Sequence, residues 1–289
     1  MAEEAVFSAE GAASINEADA SPKPAFEDMK SRLNALGMSD EDVRSMVMAY
    51  CKERSESPMS TEDAYKLAFR CVVAQWVARL VRFGGYTYAE MPAVFGEFGE
   101  GLARNTTGTL PTPRETAISS LPSLYYSLRV RGVSDEELLA ATRQLAKNAL
   151  EADVDAHEGM KGVSGVGAAQ ALADNLGSIR KYGIADEDLE AVGQEFWKQV
   201  HEGDQSAKFA WKKAFFGVLI QWMYRLSLEA GLKEQLNEVL AETIGKLQAE
   251  AGRTTDDIAH EALDTFYAYM TVSGYSAEDI QSAVADILA

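Results

Sequence analysis

The sequence predicts an all-α protein: two tandem duplicated helical bundles of about six helices each, with a disordered acidic N-terminal tail. Three observations carry this. Ala, Leu, Glu and Lys fill the long segments, and the chain has only 7 prolines, a composition that favours helix. A set of residues from the first half recurs in the second half in one register. A junction of glycine, apolar residue, small residue and acids appears four times where one helix must end and the next begin.

The repeat is read from separated blocks. Gly37-Met38-Ser39-Asp40-Glu41-Asp42-Val43 returns as Gly183-Ile184-Ala185-Asp186-Glu187-Asp188-Leu189, an offset of 146. Gln75-Trp76-Val77-Ala78-Arg79-Leu80 returns as Gln221-Trp222-Met223-Tyr224-Arg225-Leu226 at the same offset, and Gly85 pairs with Gly231. Thr112, Leu121, Tyr125, Val130 and Gly132 then match Thr254, Leu263, Tyr267, Val272 and Gly274 at an offset of 142. The domain plan is a leader over 1–24, a first copy over 25–149, a glycine-rich acidic linker over 150–167 and a second copy over 168–289.

Taken in order, the first copy predicts helices near 26–36, 40–54, 61–83, 88–104, 113–130 and 135–149. Gly37 supplies the left-handed residue that closes the first helix, Ser39 caps the second, and the acids after it complement the helix dipole. The third helix is apolar nearly all round, from Tyr65 and Leu67 through Trp76 to Phe83, which marks a central buried helix. The fourth contains Gly96, Gly99 and Gly101, which lower its stability and permit close approach of another group. Pro122 interrupts the fifth, and Gly132-Val133-Ser134 with Asp135 and two glutamates opens the sixth. The second copy predicts helices near 168–182, 186–200, 206–229, 232–250, 255–272 and 276–288. Its third helix, from Phe209 to Leu226, is again apolar all round, and Gly274-Tyr275-Ser276 precedes its last.

The net charge of −18 argues against nucleic-acid binding by bulk electrostatics. It is unevenly placed: the first copy carries 16 acids and 15 bases, the second from residue 169 carries 20 acids and 10 bases. No stretch is long and apolar enough for membrane insertion, since Gln221 and Arg225 interrupt the most apolar one. Residues 1–24 lack the apolar core of a signal peptide, so the expected location is cytoplasmic; a non-classically exported protein with a disordered leader would read the same way. Cys51 and Cys71 have no metal-type spacing and read as buried free thiols. His157, His201 and His260 read as lone surface histidines, and no metal, cofactor or nucleotide motif emerges. Gly165-Val166-Gly167 lies in an acidic setting that argues against a phosphate-binding hairpin.

Two groups of residues stand out as candidate binding positions. Gln75 and Arg79 lie one turn apart on the central helix, and Gln221 and Arg225 repeat them. A guanidinium on such a helix needs a carboxylate, helix-end carbonyls or an anionic ligand. Phe83, Tyr86, Tyr88, Phe95 and Phe98 surround the glycine-rich helix of the first copy. No catalytic pairing emerges, so the expected function is non-enzymatic: a protein-interaction scaffold or adaptor with protein partners, able to form a head-to-tail homo-oligomer through its unlike halves. The alternative is a carrier of a hydrophobic small molecule or pigment. An enzyme with an unrecognised site and an acidic nucleic-acid mimic are the more remote readings.

Overall fold

A computed structural model describes residues 21–105, 125–130, 132–134, 206–248 and 254–288. Among these the structure is helical and has no strand. The helices are α1 (Pro22–Ala35), α2 (Asp40–Glu56), α3 (Thr61–Arg82), α4 (Met91–Asn105), α5 (Ala207–Leu228), α6 (Leu236–Gln248), α7 (Thr255–Val272) and α8 (Ala277–Leu288). Short 3-10 turns at Tyr88–Glu90 and Lys233–Gln235 lead into α4 and α6, and residues 125–130 are also helical. The helices expected over 135–149, 168–182 and 186–200, most of the one over 113–130, and the linker over 150–167 lie outside the described residues.

Local chemistry explains the boundaries. Pro22 occupies the first turn of α1, where its missing N–H costs nothing, so the helix starts inside the stretch read as leader. At the other end Gly37 takes φ 92°, and the Met38 N–H donates to the Leu33 carbonyl. Ser39 then caps α2: the Asp42 N–H donates to its hydroxyl at 3.1 Å, and its own N–H donates to the Asp42 carboxylate at 3.2 Å. The Ser39 hydroxyl, which also donates to that carboxylate at 2.6 Å, and then the Ser39 N–H hold the Asp42 carboxyl below the usual carboxylate range. The same reciprocal cap recurs as Thr254 with Asp257 before α7 and Ser276 with Asp279 before α8. The glycine–apolar–serine–acid junction therefore works as a C-cap followed at once by an N-cap.

The chain divides into two compact units, one of residues 1–79 with 223–289 and one of residues 80–222. The divisions fall inside α3 and α5, away from the glycine-rich stretch read as a linker. In the first unit α7 and α8 pack against α1, and α8 also meets α2. Its core includes Phe26, Leu33, Val43, Phe69, Leu226 and Leu263, each no more than 2% exposed. Phe26 and Phe266 meet at 5.6 Å between ring centroids, and Tyr50 meets Tyr267 edge-on at 6.0 Å. Among the described residues of the second unit, the N-terminal part of α5 gathers the aromatic contacts. Phe95 packs edge-on against Phe215 at 5.6 Å, Phe98 against Phe216 at 5.3 Å, and Tyr126 against Phe209 at 5.6 Å. No residue from Ala64 to Val81 or from Phe209 to Ser227 is exposed, as befits helices apolar on all sides.

Candidate functional site

The first unit carries a partly open cavity of about 620 Å³. Its walls come from α1, α3, α6 and α7. One stripe of α3 supplies Leu67, Arg70, Cys71, Ala74, Gln75 and Ala78, spaced three and four residues apart so that they share a face. Short side chains on that stripe leave room, whereas Phe69 and Val73, off that stripe, are buried in the core. Met29, Leu33 and Leu36 line the α1 side, and Ile258, Ala262 and Phe266 the α7 side. These apolar groups form most of the wall.

Polar and charged side chains enter it from all four helices. Arg32 pairs with Asp28 one turn earlier on α1. Arg70 donates to Glu242 at 3.3 Å, and Lys246 reaches the same carboxylate oxygen at 2.7 Å. The Lys246 hydrogen bond, with Arg70 and Lys66 adding their charge, holds the Glu242 carboxyl below its ordinary value. The Nε–H groups of Arg32 and Arg70 are buried without an acceptor among the described residues. Burial also pulls the Arg32 guanidinium below its ordinary value. On the α7 wall, Asp264 accepts from Tyr50 Oη at 2.8 Å and from Arg54 Nη2 at 3.1 Å. Asp257 is engaged in capping its helix.

Cys71 lies 2.9 Å from the Thr265 hydroxyl, and burial pushes its thiol up to about 12. It is a neutral thiol at physiological pH and not a ready nucleophile. Among the described residues no three His, Cys, Asp or Glu side chains come together to hold a metal ion. His260 lines the cavity, but its side chain is more than half exposed and lies 3.9 Å from Asp256.

The residues singled out from the sequence are spread between the two units. Gln75 alone of them lines the cavity, and its amide has no hydrogen-bond partner among the described residues. Arg79 lays its guanidinium over the Trp76 ring at 5.2 Å and is not a cavity residue. Arg225 donates from Nε to Glu229 at 3.2 Å and from Nη2 to the Val272 carbonyl at 3.3 Å, at the end of α7. Tyr65 shares that carboxylate, donating to it at 2.6 Å. Gln221 is half-buried on α5.

In the second unit Phe95 and Phe98 are core residues, and Tyr86 is buried with its hydroxyl donating to the Lys208 carbonyl at 3.2 Å. Phe83 stacks on Trp211 with half its surface exposed, and Tyr88 is exposed. A Cβ built on Gly96, Gly99 or Gly101 meets nothing within 4 Å among the described residues, so none of them is held to glycine by a close neighbour there.

Sequence reasoning missed Arg32, Arg70 and Lys246 because single cations on amphipathic helices look like solvated surface. The signal that was present is the run of small residues along one face of α3, a helix otherwise bulky on every side. No helix of the described residues is long and apolar enough to cross a membrane. Comparison with known proteins finds no matching family model, no matching curated protein and no matching solved structure.

Proposed function

We propose that this chain is a non-enzymatic binding protein, built on a duplicated helical unit, that holds an apolar small molecule inside the compact unit of residues 1–79 and 223–289. The observation that carries this reading is the cavity of about 620 Å³ within that unit, apolar over most of its wall and with polar or charged side chains on each of its four helices. Cavities of roughly 300–1,000 Å³ with that balance suit small ligands better than protein surfaces. The placement of Gln75 in the wall supports the carrier alternative drawn from the sequence. The scaffold alternative rests on the charge difference between the halves and on no residue of this cavity. A cytoplasmic location belongs to the proposal.

Native mass spectrometry of the protein isolated from its own source tests it. A non-protein mass that is lost on denaturation is the expected result. In parallel, the stripped protein should bind the neutral dye Nile red at one site, and Ala74→Trp, which fills the α3 stripe, should abolish that binding. Absence of both bound mass and dye binding would overturn the carrier reading. The mass of a second protein in its place would support a scaffold.

A further inference from the structure

We infer that the ligand of this cavity is a monocarboxylate with an apolar tail, its carboxylate held at the α3–α6 side by Arg70, Lys246 and Gln75. The inference rests on the carrier reading and assigns its ligand class.

Three features lead to it. First, two cations share one acid: Arg70 Nη1 and Lys246 Nζ both bind Glu242 Oε1, at 3.3 and 2.7 Å. One carboxylate against two full positive charges leaves a surplus of one, in a chain whose overall charge is −18. Two of the lining acids on the facing helix are already committed. Asp264 is held by Tyr50 and Arg54, and Asp257 by the cap at Thr254. Glu261, the third lining acid on that helix, is not free either. Second, Arg70 has an Nε–H buried without an acceptor, an unmet demand for an oxygen nearby. Third, the Gln75 amide projects from the same α3 stripe and has no hydrogen-bond partner among the described residues. A single surplus charge and an amide donor match a monoanion. The wall of Leu33, Leu67, Ile258 and Phe266 takes the tail.

The full chain, stripped of bound lipid, is titrated near neutral pH with dodecanoate, dodecan-1-ol and dodecyl phosphate by calorimetry. Dodecanoate should bind about tenfold or more tightly than the alcohol, the ratio expected of one charge-assisted hydrogen bond. Arg70→Met and Lys246→Met should each remove most of that preference while leaving the alcohol unaffected. Lys246 is more than half exposed, so its variant will fold even where Arg70→Met does not. Gln75→Leu should also weaken dodecanoate, and lowering the pH until the fatty acid is protonated should erase the preference in the unaltered protein.

Equal binding of alcohol and carboxylate would overturn the head-group assignment and leave the carrier reading standing. Tighter binding of dodecyl phosphate would overturn the carboxylate in favour of a different anion. Failure of all three probes, with no Nile red binding, would overturn the carrier reading itself.

Discussion

At the scale of single residues, the wall of the cavity depends on polar groups that share partners. Asp264 is the clearest case. One of its oxygens accepts from both Tyr50 and Arg54, and Tyr50 is only 5% exposed. Burial first, and the Asp264 carboxylate next, push the Tyr50 phenol well above its ordinary value, so it stays a donor throughout the physiological range. Removing the acceptor strands a buried hydroxyl and a cation whose Nε already lacks a partner. Asp264→Ala should therefore destabilise by about 1–2 kcal/mol, a stranded-donor penalty discounted because the carboxylate is a third exposed. Tyr50→Phe removes the same hydrogen bond without stranding a donor and should cost less. Urea unfolding of the two variants checks this, and a loss for Asp264→Ala no larger than for Tyr50→Phe would count against a shared network. Arg225 shows the same economy: one side chain reaches Glu229 and the last carbonyl of α7, which is what a partly buried arginine needs when no single carboxylate encloses it.

At the scale of elements, closeness matters more than composition. Gly84, just after α3, is buried, and a Cβ placed on it would meet the Leu80 carbonyl oxygen at 2.7 Å and Trp211 Cβ at 3.0 Å. Backbone cannot yield as a flexible side-chain end can. Gly84→Ala should cost about 1–3 kcal/mol by overpacking, and it should disturb the stacking of Phe83 on Trp211. Thermal unfolding with near-ultraviolet circular dichroism reads both effects; a variant with unchanged melting and aromatic signal would show that the turn relaxes freely. By register, the second half carries Ala230 where the first has Gly84, so sequence comparison alone makes this substitution look harmless. The helices themselves were legible because their ends are chemical. Gly37 with Ser39 and Gly274 with Ser276 mark boundaries, and α7 begins and ends where the spacing predicts, at Thr255 and Val272. The two central helices were legible because no polar face interrupts them. The cavity was not, because it depends on which helices face Ala74 and Ala78, and apolar periodicity names a buried face without naming its neighbour. Arg32 and Lys246 become cavity residues only when α1 and α6 come together across α3.

At the scale of the whole molecule, the central question is which segments complete each other. Within the unit of residues 1–79 and 223–289, Phe26 packs on Phe266, Tyr50 and Arg54 bind Asp264, Tyr65 binds Glu229, and Cys71 meets Thr265. Within residues 80–222, Glu90 pairs with Lys208 at 2.7 Å, Glu97 with Lys212 at 2.7 Å, and Phe95 and Phe98 pack on α5. Every one of these contacts joins a residue before the glycine-rich stretch at 156–167 to a residue after it. Two segments with alike apolar faces can each pack on themselves or on the other, and nothing in periodicity decides between those pairings; chain connection and packing do. The arrangement has a consequence for cleavage. A protease site introduced between 156 and 167 and cut after folding should leave the two fragments in one particle, because each compact unit is made from both. Size exclusion and native mass spectrometry should find the joined mass on dilution through the nanomolar range, and denaturant should release the fragments together with loss of Nile red binding. Fragments that part in native buffer, each keeping its helical circular dichroism, would mean that each half closes its own core and that the exchange of halves is not what holds the cavity together.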